Sequence, residues 1–109
     1  MVVGVLKLSL VLAENHSLKE KRGVLKRIQA RVSHQFNISV TECGDQDLWQ
    51  SAVLGFGVVG SRWQSAVLGF GVVGSSRQVV EATLQKVIDF VDGLGLAQVG
   101  ETDTEFFYC

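Results

Sequence analysis

The chain opens on an alternation of period two. Leu6, Leu8, Leu10 and Leu12 share one parity while Lys7 and Ser9 share the other. This predicts a β-strand over Val2 to Leu12 with its leucine side in the core. After a turn over residues 13–16 the period changes. Leu18, Leu25, Ile28 and Val32 recur at 0, +7, +10 and +14, the stripe of a helix running from Ser17 to His34 or Gln35. Ser17-Leu18-Lys19-Glu20 reads as a capping box: the serine oxygen accepts from a first-turn N–H and the glutamate reaches back to the cap. Gly23 weakens the middle of this helix by about 1 kcal/mol relative to Ala. Phe36, Ile38 and Val40 alternate with Asn37, Ser39 and Thr41, a second strand. A second helix begins at a Ser75 or Ser76 cap, buries Val80, Leu84, Val87, Ile88 and Val91, and stops at Gly93. A last strand follows from about Leu96 to Phe106. Its Glu101, Asp103 and Glu105 share a face that is wet, or its end frays.

Between the second strand and the second helix the chain repeats itself. Residues 49–61 and 63–75 are the same thirteen residues, Trp-Gln-Ser-Ala-Val-Leu-Gly-Phe-Gly-Val-Val-Gly-Ser, with Arg62 between. Each copy reads as a strand and a turn. Two short identical units are not a repeat architecture, which needs several longer ones; they look like a recent copying event, an engineered insertion or a sequence error. With one copy set aside the order is β-α-β-β-α-β. That is an α+β, ferredoxin-like plait of four antiparallel strands with two helices on one face. An extra strand would reverse the end at which the second helix begins, so one copy fits the sheet and the other loops out. Copy two leads straight into the serine cap and is the one expected in the sheet. The looped copy then exposes Val53, Leu54, Phe56, Val58 and Val59, a self-pairing hazard. A hairpin of both copies, or exchange between chains, is the alternative.

A length of 109 residues, 47% hydrophobic and 19% charged, fits one ordinary soluble domain. The net charge of −1 hides an asymmetry. Residues 1–34 hold seven Lys/Arg against two Glu, and residues 35–109 hold three against nine Asp/Glu. A basic first third points to an anionic partner. Two cysteines, Cys43 and Cys109, make neither a disulfide framework nor a zinc site. The apolar start is interrupted by Lys7 and has no basic leader, so no membrane partner is expected and the cytoplasm is the expected compartment.

The candidate chemistry lies on the first helix. Lys19, Arg22 and Lys26 fall opposite the apolar stripe, with Lys21, Arg27 and Arg31 nearby. These six can contact phosphates without reading bases, which suits structured RNA such as a ribosome and not sequence-specific DNA recognition. The plainer reading is a solvated helix face. Gly55 to Gly60 and Gly69 to Gly74 each match the dinucleotide fingerprint G-x-G-x-x-G. Only thirty-five residues follow Gly74, however, and Asp89 and Asp92 lie inside the helix, where no ribose would reach them. Tight strand packing is the favoured reading, and no cofactor is expected. Leu54 to Val59 also partly matches an RNA-recognition motif, yet it lacks the basic residue and the later stacking aromatics. Glu42, Asp45 and Asp47 read as a polar connection rather than a metal site, His16 and His34 as helix-end residues, and Trp49 and Trp63 as edge packing. No catalytic constellation stands out, so a non-enzymatic binding protein is expected, with a homodimer through the open sheet face as the second reading.

His16 to Arg22, Phe36-Asn37-Ile38-Ser39-Val40 and Gly44-Asp45-Gln46-Asp47-Leu48-Trp49-Gln50 together resemble the YlxP-like family of small bacterial proteins of unknown function. The resemblance spans nearly the whole chain. It implies a ferredoxin-like fold and a loose association with translation, and it implies no reaction. The chain departs from the family by the extra fourteen residues and by its polar-then-aromatic end, Glu105-Phe106-Phe107-Tyr108-Cys109.

Overall fold

The computed structural model describes residues 1–12, 15–43 and 64–109. Its elements are β1 (Val2–Val11), α1 (Leu18–Gln35), β2 (Ser39–Glu42), β3 (Ser65–Gly74), α2 (Arg77–Gly93) and β4 (Gln98–Tyr108). The strands form one sheet in the order β2-β3-β1-β4, and every neighbouring pair is antiparallel. This is the expected α+β ferredoxin-like plait.

β1 holds the sheet together because it is paired along both edges. Leu6 faces Phe70 on one side and Thr104 on the other; Leu8 faces Leu68 and Thr102. Its even-numbered residues form the floor of the core, with Leu6, Leu8, Leu10 and Leu12 all buried. Ala66, Leu68, Phe70 and Val72 of β3 extend that floor, and Leu25, Ile28 and Val32 of α1 with Val80, Leu84, Val87 and Val91 of α2 close it from above. β3 is copy two of the repeat, entering at Ser65 and leaving through Gly74 to the Ser76 cap. Copy one lies outside the described residues, as do Trp49 and Trp63.

The local departures from the sequence pattern have physical causes. The second strand is shorter than the alternation suggests. Phe36 caps the end of α1 instead, its N–H bonding Val32 O at 2.9 Å and its ring meeting Phe90 edge-on at 5.5 Å. α2 runs through Gly93, and the left-handed turn falls at Gly95, φ +69°, so Leu96 and Ala97 pack against the core from the connection. β4 is therefore shifted by two residues. It does not fray: Glu101, Asp103 and Glu105 are exposed on the open face and Thr102 and Thr104 on the other. Pairing to β1 holds the strand although both of its sides are wet there, with a register shift where Ser9 meets Gly100 and Glu101.

α2 lies close over β1 because Gly4 has no side chain. A Cβ at Gly4 would collide with Val80 and reach Leu84 Cδ1 at 3.0 Å. Gly23, exposed in α1, has open space around it. Gly4→Ala is expected to destabilise by about 1–3 kcal/mol through overpacking. Gly23→Ala is expected to stabilise by roughly 0.5–1 kcal/mol through helix propensity. Urea midpoints of the two variants against the parent check both signs.

Candidate nucleic-acid interface

The basic surface is set by the start of α1. Ser17 is its cap, with an extended backbone, and its Oγ accepts the Glu20 N–H at 3.1 Å. The Glu20 carboxylate reaches back one residue beyond the usual capping box: Oε2 accepts the His16 N–H at 2.8 Å. The first acid of the helix is thus engaged in holding its own N-terminus, where a negative charge also suits the helix dipole.

The helix then sorts its side chains by angle. Leu25, Ile28 and Val32 are buried, and the fourth member of the stripe is Lys21, only 5% exposed. Leu18, expected in the stripe, is 37% exposed. At about 100° per residue, Lys21 lies roughly 15° from the mean direction of the other three, and Leu18 lies roughly 50° away. Lys21 is therefore a packed side chain and leaves the expected set of phosphate contacts. A lysine can do this because its aliphatic stem covers apolar surface.

Lys19, Arg22, Lys26, Arg27 and Arg31 remain, and all five are exposed. None of them is ion-paired with a carboxylate among the described residues. An ion pair lies elsewhere, Arg77 to Glu81 at 3.6 Å. Lys19, Arg22 and Lys26 fall within about 60° of one another, and Arg27 and Arg31 lie to one side. His34 lies in the last turn of the helix.

Among the described residues the other sequence candidates do not form sites. Gly69 to Gly74 is not a phosphate loop. Gly69 pairs with Lys7 and Thr41, and Gly71 with Val5 and Ser39, so the fingerprint is strand throughout. The reason is the buried Phe70 and Val72 between its glycines, with Leu68 just before them. Gly55 to Gly60 lies outside the described residues. The partial RNA-recognition motif, Leu54 to Val59, lies outside the described residues; in its twin, Phe70 is 1% exposed under the helices and so faces away from the open side of the sheet. Of the acidic trio, Glu42 ends β2 and is exposed, while Asp45 and Asp47 lie outside the described residues. No metal-holding group of His, Cys, Asp or Glu occurs among the described residues, nor a helix long and apolar enough to cross a membrane. Neither cysteine forms a disulfide among the described residues; Cys43 is half-buried and Cys109 exposed. An open pocket of about 310 Å³ lies between the end of β1 and the α2–β4 connection, but Val11, Leu12, Asn15, Gly95, Leu96, Ala97 and Gln98 bring it no charge.

Sequence reasoning missed Arg77 at the start of α2. Its guanidinium lies 4.4 Å from the Phe106 ring centroid and donates to the Tyr108 hydroxyl at 3.3 Å. That hydrogen bond, and Glu81 after it, raise the Arg77 pKa further above its ordinary value. The signal was present in the aromatic end of the chain, yet only the β4 register brings it beside α2.

The molecule is thus a small α+β plait that carries five exposed cations on the outer side of its first helix. It belongs to the family described as protein of unknown function (DUF503), whose pattern matches residues 3–62 and again 61–104. It is 36% identical over 106 residues to the uncharacterized protein YlxP of Bacillus subtilis (strain 168), covering 97% of this chain and 100% of that protein.

Because the Ser17 cap positions the basic helix, Ser17→Ala is expected to cost about 1 kcal/mol. A calorimetric or circular-dichroism melt should show Tm lower by roughly 4–8 °C.

Proposed function

We propose that the protein is a non-catalytic binding protein of the cytoplasm that contacts structured RNA, such as a ribosomal surface, through the outer side of α1. The observation that supports this most is the set of five exposed cations on one helix, whose only acid is turned to its own cap. A face serving solubility alone would mix signs. Such contacts neutralise phosphates and do not read bases, so affinity depends on salt and little on sequence.

Binding to ribosomes and to ribosomal RNA across a salt series tests this. Wild type is expected to bind with log K falling linearly in log salt. Lys19→Ala/Arg22→Ala/Lys26→Ala is expected to flatten the slope by about 2.7 on the B-DNA scale, for three lost phosphate contacts. Lys21→Gln is expected to leave the slope in place, since Lys21 is packed. Absence of binding at low salt, or an unchanged slope in the triple variant, refutes the proposal.

A second reading draws on the open face of the sheet. Val73, Val3 and Phe107 stand side by side across three strands, with Val73 64% and Phe107 49% exposed. A row of this kind suits a second copy of the chain. Sedimentation against concentration is expected to show a dimer that Phe107→Glu dissociates; a monomer at every concentration removes this reading.

A further inference from the structure

β3 is built by one of two segments with the same sequence. Each buried residue of β3, from Ala66 to Val72, has an identical counterpart fourteen positions earlier. The hydrogen bonds that hold β3 come from β1 and β2, and main-chain pairing does not distinguish one copy from the other. The family matches agree: one runs from residue 3 through copy one, the other from residue 61 through copy two. Each copy thus falls within a stretch that the family pattern matches.

We propose that the β3 position is exchangeable, with copy one able to replace copy two between β1 and β2, so that the protein populates both arrangements. With copy two in place, twenty-two residues join β2 to β3 and two join β3 to α2. With Ser51 to Gly60 in the same register, those connections become eight and sixteen residues. The residues gained by one connection are lost by the other. Closure entropy varies only with the logarithm of loop length, so the two arrangements lie within about an order of magnitude of each other in population. Side-chain burial and register are identical in both, because the sequences are. What changes is where the spare copy is attached. It joins the sheet at the Val11 end in one arrangement and at the Val2 end, next to the α2 cap, in the other. Those ends are about 33 Å apart along a ten-residue strand.

A deletion cannot test this, because removing residues 49–62 or residues 62–75 leaves the same chain. The copies must be marked by side chains. Phe70 is 1% exposed, and a carboxylate there cannot stay in the core unpaired. Phe56→Asp and Phe70→Asp are each expected to keep a cooperative melt and dispersed amide resonances, the unmarked copy filling the sheet. Phe56→Asp/Phe70→Asp is expected to lose both. Loss of the fold in Phe70→Asp alone overturns the proposal, and so does a folded double variant. A milder pair covers the case in which a carboxylate disturbs folding itself. Phe56→Ala and Phe70→Ala are each expected to leave the urea midpoint near that of the parent, with a large fall only when combined. A fall in Phe70→Ala as large as in the double variant overturns the exchange.

Discussion

The double pairing of β1 is the constraint on which the other elements depend. Its neighbours β3 and β4 both run antiparallel to it, and its leucine side is the floor on which both helices rest. Each fully buried leucine contributes about 1.5–3 kcal/mol relative to an exposed one, and β1 supplies three of them, with Leu12 just beyond. Gly4 sets the height of α2 above that floor. The height in turn places Val80 and Leu84 in the core and Arg77 over Phe106. A chain with the same helices but an edge position for this strand would leave one ladder unmade and half the floor uncovered.

The same topology turns a charge asymmetry along the chain into one across the molecule. α1 packs on β2 and against α2, while β4 forms the opposite edge of the sheet. The cations of α1 and the acids Glu101, Asp103 and Glu105 are therefore on different sides. A polyanion approaching such a molecule is steered toward α1 and away from β4. The partly covered β4 belongs to the same arrangement. On its helix-facing side Val99 and Phe106 are drawn against the core, and Thr102 and Thr104 between them remain in water. One exposed acid, Asp103, lies directly opposite Lys7 in the register, where opposite charges support a cross-strand pair.

The duplicated segment shows how little freedom this fold has for an added strand. The plait has one place between β1 and β2, and a ten-residue strand fills it. Its direction is decided by the two helices, since α2 must start at the end of β3 beside Val2 and Gly74. The glycines that resemble a nucleotide fingerprint serve in this strand. Gly74 lies where a Cβ would press on Val80 Cγ2 at 2.8 Å, and Gly69 where it would meet Cys43 Sγ at 3.4 Å. Their spacing reflects close packing against neighbours on the two sides of the sheet.

Element order, the leucine floor and both serine caps were legible in the sequence, because each rests on a local period or a local hydrogen bond; copy two was legible only from its place directly before the second cap. The basic helix was legible for the same reason, as five of its six cations are exposed where helical spacing puts them. What the sequence could not decide depended on contacts between distant elements. Lys21 is buried and Leu18 exposed because the direction of the stripe is set by where α1 meets the sheet and α2. Phe36 leaves the second strand because Phe90, fifty-four residues later, offers its ring a partner. β4 starts two residues late, and stays ordered with both sides wet, because β1 supplies its hydrogen bonds. Periodicity reports which residues prefer to be buried; only the packed structure decides which neighbour buries them.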